Sequence, residues 1–211
     1  PRVLFQRTKA AIRTAYHQMK LGKKEPFNSS AEYKRYLKVQ LQKTVPSSGV
    51  VTERIRNLTG HVERLGLAQS DRHALCIGCR NTAEIDRLTE AGYGEVTGVD
   101  LFSIDPRIKV MDMHALTFPD DSFDLVYTCH NLEHSYDVKV VVGQIIRVLR
   151  HGGAIAVETP LKYTLSETDR NDFETVEGLL DVFSPHVDEV LFKEEANERE
   201  YVGRAVFKIK K

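Results

Sequence analysis

The 211-residue chain is 41% hydrophobic and 28% charged with a formal net charge of zero, the make-up of a soluble globular protein with room for one domain plus an extension. No apolar run approaches the ~18 residues that a membrane span needs. Three cysteines, Cys76, Cys79 and Cys129, with no apolar leader, set the expectation of a reducing, cytoplasmic environment rather than a disulfide framework.

The neutral total conceals an asymmetry. Residues 1–50 carry 11 Lys and Arg against Glu25 and Glu32, about +9, and the remaining 19 bases and 28 acids give about −9. Such an arm either meets an anionic partner (RNA, a phosphorylated metabolite, a membrane surface) or packs on its own acidic domain, and self-packing is favoured over nucleic acid. Within the arm, Val3, Leu4, Ile12, Ala15, Tyr16, Met19 and Leu21 recur at nearly helical period, which predicts an amphipathic helix over 3–22. A loop over 22–30 brings Ser29 or Ser30 to cap a second helix through AEYKRYLKVQLQKTV, and a third is expected over 50–65. These helices read as a cap or side layer, residues 1–66. Tyr33, Tyr36 and Phe27 among the lysines suit base stacking, but anchoring to the domain is the favoured reading.

From residue 74 short apolar runs alternate with helical segments, the pattern of βαβ units. Strands are expected at 74–77, 95–99, 108–111, 123–127 and 154–158, and helices at 82–91 and 138–149. A helix over 173–182 and strands over 187–193 and 201–209 follow. The result is a doubly wound, mostly parallel seven-stranded α/β sheet with an antiparallel edge strand, spanning residues 67–211. Gly152 and Gly153 are expected to turn the chain into the fifth strand, and Pro119, Asp120 and Asp121 to form a surface turn.

Gly78 ends the first strand and precedes a helix, so backbone amides can face a ligand over the strand ends. Asp100 ends the next strand 22 residues later, where a carboxylate can accept both hydroxyls of a ribose. After the fourth strand come Cys129, His130, Glu133 and His134. Two histidines at i,i+4 invite a metal, but a site needs three or four ligands, so no metal is expected. Glu133 and His134 as a turn cap is one reading; His130 or His134 positioning an acceptor, or taking its proton, is another.

The order of LCIGCRNT, VTGVD, MDMHALTFPDDSFD, FDLVYTCHNLEH and QIIRVLRHGGAIAVETP resembles the class I S-adenosylmethionine-dependent methyltransferases, in particular their type 11 small-molecule group, over about residues 75–160. The resemblance implies a Rossmann-like fold and S-adenosylmethionine as cofactor. It implies that the turn of Gly78, Cys79, Arg80 and Asn81 contacts the methionine part, that Asp100 with Leu101 holds the ribose, and that Asp112, Met113 and His114 flank the adenine. It places Cys129 and His130 beside the cofactor, and His130 and His134 as catalytic candidates. Where the family has an acid two residues before the first glycine, this chain has Cys76, and where it has further glycines, Arg80 and Thr82. Arg80 pairing the cofactor carboxylate, with Glu84 bracing Arg80 or meeting the amine, would repair that turn; the alternative is an exposed Arg80–Glu84 pair beside a degenerate pocket.

The function expected is therefore methyl transfer to a small-molecule acceptor. The alternative is a non-catalytic methyltransferase-fold scaffold or basic-arm binding protein. A nicotinamide-dependent oxidoreductase shares the strand–turn–acid logic but explains neither FDLVYTCHNLEH nor RVLRHGG. The chain has neither an Asn-Pro-Pro-aromatic segment nor a Pro-Cys nucleophile motif, which argues against amino-directed and cytosine-C5 DNA methylation.

Overall fold

A computed structural model describes residues 30–44, 53–103, 105–197 and 201–211. The helix expected over 3–22, with Phe27, lies outside the described residues, as does most of the basic arm. Helices α1 (Ala31–Thr44) and α2 (Glu53–Arg64) precede β1 (His73–Ile77), α3 (Ala83–Glu90), β2 (Glu95–Asp100), β3 (Ile108–Val110), β4 (Phe123–Cys129), α4 (Val138–Val148), β5 (Leu149–Pro160), α5 (Val176–Asp181), β6 (Val187–Asn197) and β7 (Tyr201–Ile209). Every strand expected from the sequence is present. The helix expected over 173–182 starts later because Thr175 caps it, its hydroxyl accepting the Gly178 N–H at 3.0 Å.

The strands form one sheet in the order β3-β2-β1-β4-β5-β7-β6. β1 to β5 pair in parallel, whereas β7 is antiparallel to both β5 and β6. The reversed strand thus lies second from the edge, with β6 outside it. Period-two alternation divides the core. Leu75, Ile77, Val126, Ile155, Val157 and Phe207 pack with Val141 and Ile145 of α4 and Leu179 of α5 on one face. Ala74, Cys76, Leu125, Tyr127, Ala156 and Val206 pack with Leu58 and Val62 of α2 and Ile85 and Leu88 of α3 on the other.

The two N-terminal helices have separate jobs. Apolar residues of α2 complete the second face. Tyr33, Tyr36 and Leu37 of α1 instead form a small cluster with Leu101 and Tyr136, past the carboxyl ends of β2 and β4. The strand order reverses between β1 and β4, and there the turns following these two strands diverge and open a crevice.

Candidate cofactor site

Gly78 takes φ +72°, a conformation open to glycine at little cost. Its amide donates to the Val99 carbonyl at 2.8 Å. A Cβ at Gly78 would also run into the side chain of Asn131. Asn131 Nδ2 donates to the carbonyls of Ile77 at 2.9 Å, Gly78 at 3.3 Å and Cys129 at 3.0 Å, tying the turn after β4 to the turn after β1.

Asp100 is buried at the end of β2. Its Oδ2 accepts the Arg80 amide at 2.9 Å and its Oδ1 the Phe102 amide at 3.2 Å. Burial pushes its carboxyl upward, against the pull of these amides. Asp112 caps the short turn Met113–Ala115: its Oδ1 accepts the His114 amide at 2.9 Å and His114 Nδ1 at 2.7 Å, and its Oδ2 accepts the Tyr33 hydroxyl. Burial alone would raise the Asp112 carboxyl, but the His114 and Tyr33 bonds outweigh it and hold it below its ordinary value. The amides of Tyr136 and Asp137 point at His114 Nε2 from 3.0 and 3.3 Å, so Nε2 accepts and the ring proton is on Nδ1.

A cleft at this crevice is lined by Gly78, Arg80, Asp100, Leu101, Asp112, Met113 and His134, together with Tyr36, Gln40, Ile77, Val99, Met111 and Asn131. Seven expected residues therefore converge. The others lie behind the lining. Cys79 is buried under β2, in the space that Gly98 leaves by lacking a side chain, and its thiol faces the Val99 carbonyl. Asn81 Oδ1 accepts the Ala83 amide at 2.9 Å and so starts α3. His114 is enclosed beneath Tyr33 and Tyr36, and Cys129 and His130 belong to a separate polar cluster.

Arg80 and Glu84 do not form the exposed pair considered above. Arg80 is exposed, Glu84 is buried, and no ion pair joins them among the described residues. Burial raises the Glu84 carboxyl to about 7, and its Oε2 has no hydrogen-bond partner among the described residues. His134 Nδ1 lies 2.9 Å from Asp169 Oδ1 and 3.0 Å from the Thr168 carbonyl, which fixes the ring at the cleft wall.

Tyr36, Gln40 and Asn131 were not anticipated. Tyr36 and Gln40 are one turn apart on α1, so the signal was an i,i+4 pair on the buried face of that helix. Asn131 carried only the hint of an amide directly after a strand.

Residues 75–157 match the family model of a methyltransferase domain. That stretch is similar to S-adenosylmethionine-dependent methyltransferases.

Relatives of the chain include a probable S-adenosylmethionine-dependent methyltransferase of Mycolicibacterium smegmatis, 30% identical over 54% of this chain and 49% of the relative. Another is the 27-O-demethylrifamycin SV methyltransferase of Amycolatopsis mediterranei, 29% identical over 52% of this chain and 46% of that protein. The chain spans about half the length of the curated relatives it matches. Among solved structures, the Burkholderia thailandensis 1,6-didemethyltoxoflavin-N1-methyltransferase, with 1,6-didemethyltoxoflavin and S-adenosylhomocysteine bound, superposes with a TM-score of 0.68 at 14% identity, covering 89% of this chain and 93% of that one. The [4+2]-cyclase SpnF superposes at 0.63 with 15% identity, covering 78% and 85%. A cyclase among the neighbours shows that a methyltransferase fold does not by itself dictate the chemistry.

Proposed function

We propose that this chain binds S-adenosylmethionine in the cleft at the β1/β4 crevice and transfers its methyl group to a small-molecule acceptor. The observation that carries the reading is the convergence of the Gly78 turn and the Asp100 carboxylate on one cleft whose other walls include Ile77, Val99, Met111 and Met113. The residues fit the cofactor's chemistry: a carboxylate for a ribose diol, apolar side chains for an adenine, and backbone at a glycine turn for the methionine end. Arg80, exposed and among the residues lining the cleft, is a cation available to the cofactor's carboxylate. When bound, the cofactor supplies an electrophilic methyl on a sulfonium. Transfer needs alignment and exclusion of water more than a strong base. His134, held by Asp169 and Thr168, is the imidazole at the cleft available to orient an acceptor or receive its proton.

Binding is tested by thermal unfolding with and without cofactor. At 100 times its dissociation constant a ligand adds about 2.7 kcal/mol to stability. An Arg80→Ala variant should require more cofactor for the same shift, and transfer of labelled methyl to candidate acceptors tests the reaction. Absence of any shift would favour the scaffold reading, whereas a shift unchanged in Arg80→Ala would sink the role of that side chain alone.

A further inference from the structure

Four residues pair directly across the sheet at its carboxyl edge: Cys129 of β4 opposite Glu158 of β5, Glu158 opposite Arg204 of β7, and Arg204 opposite Glu194 of β6. Being in register, they share one face, that of α2 and α3. His130, at φ +53°, turns its ring back onto this row. Its Nε2 is 2.9 Å from Glu158 Oε1, and the Cys129 thiol lies 3.9 Å from the same oxygen. The cleft described above has no use for this cluster.

We propose that Cys129 Sγ, His130 Nε2 and Glu158 Oε1 bind a divalent transition-metal ion of the zinc class. The three atoms lie within 4.8 Å of one another. Tetrahedral zinc, with bonds of about 2.0–2.3 Å, requires its ligand atoms roughly 3.3–3.8 Å apart. The present 2.9 and 3.9 Å separations from Glu158 reach that spacing through side-chain shifts below about 1 Å. A thiolate, an imidazole and a carboxylate form a mixed soft and borderline set that suits zinc rather than magnesium or calcium.

The surroundings support the ligands in the way metal sites require. Glu133 Oε1 lies 3.8 Å from His130 Nδ1, placed to accept its N–H once Nε2 has turned to the metal. Arg204 Nε engages Glu158 Oε2, which leaves Oε1 as the ligand atom and fixes the plane of the carboxylate. Glu133 and Glu158 are both buried, with Glu194 at the end of the row, against the cation of Arg204. A divalent ion relieves that negative field. In the exchange, Cys129 loses its S–H proton to solvent. The imidazole proton moves from Nε2 to Nδ1, so one proton is released per ion bound.

The test is titration of chelator-stripped protein with Co2+, followed by its thiolate-to-metal charge-transfer absorption. One ion per chain is expected, with the band bleached by Zn2+, which takes such sites more tightly. Cys129→Ser should abolish the band, and Cys76→Ser and Cys79→Ser should retain it. Glu133→Gln should weaken binding roughly 10- to 100-fold. If Cys129→Ser does not fold by circular dichroism, His130→Gln takes its place. A wild-type protein without the band, or an unchanged band in the variant, overturns the proposal. The cofactor is absent from every arm, so the result is independent of methyl transfer.

Discussion

Asp100 has a carboxylate whose two oxygens each already accept a backbone amide, Arg80 and Phe102, so its rotamer is set before any ligand arrives. Asp100→Asn keeps the shape, removes the charge and replaces one acceptor by a donor. Cofactor affinity measured by calorimetry should fall by about 2–3 kcal/mol, roughly 30- to 150-fold. Glu84 is a different kind of carboxyl. In the unfolded chain it titrates near 4.5, and in the folded protein near 7. Between those values the unfolded state has lost its proton and the folded state has not, so stability attributable to this group falls as pH rises through that window. Above it the cost is about 3 kcal/mol. Glu84→Gln should therefore unfold at a higher temperature than wild type at pH 8, and the gain should vanish near pH 4. A gain that does not depend on pH would place the effect elsewhere.

At the scale of elements, α1 forms one wall of the cleft. Tyr36 and Gln40 of α1 line one side of the cleft, so displacement of this helix would widen it. What holds it is partly electrostatic: Tyr33 donates to Asp112, Arg35 pairs with Glu167, and Arg170 lies 3.7 Å from Glu32 and 4.8 Å above the Tyr136 ring. Of the bases in the described part of the arm, Arg35 pairs with an acid of the following domain, Glu167. Tyr33 and Tyr36 are buried in the small cluster with Leu37, Leu101 and Tyr136. Tyr33→Phe removes the bond to a buried carboxylate, worth about 1.5–3 kcal/mol. Amide exchange across α1 should accelerate at least about tenfold. Cofactor association in stopped flow should quicken as well. Unchanged exchange would mean that packing of the aromatic cluster, rather than the hydroxyl, keeps the helix down.

Across the whole molecule, what could be read in advance divides by range. The strands were legible because each is a short apolar run bounded by polar turns, and Gly78 and Asp100 because a strand end announces itself locally. Contacts that cross the fold were not. Nothing near Cys79 says that the missing side chain of Gly98 makes room for it, nothing near Gly78 names Asn131 as its neighbour, and nothing in β6 reveals that β7 inserts beside β5. The cleft residues on α1 were invisible for the same reason, since α1 meets the rest of the site through residues distant in sequence, Tyr33 with Asp112 and Gln40 with Thr168. Helices α1 and α2 looked alike as patterns, yet α2 completes a core face and α1 lines the cleft.

The buried thiols supply this protein with an internal clock. Cys76, Cys79 and Cys129 are 0%, 1% and 8% exposed, and all three pack on the α2 and α3 face of the sheet. A labelling reagent can reach Cys76 and Cys79 only when that face parts, and burial suppresses their thiolate as well. Modification rates therefore count opening events of the native molecule. They should fall when cofactor binds and rise toward the free-thiol rate in denaturant. Labelling of Cys76 at the free-thiol rate in native buffer would show that the packing of α2 and α3 is looser than their contacts imply.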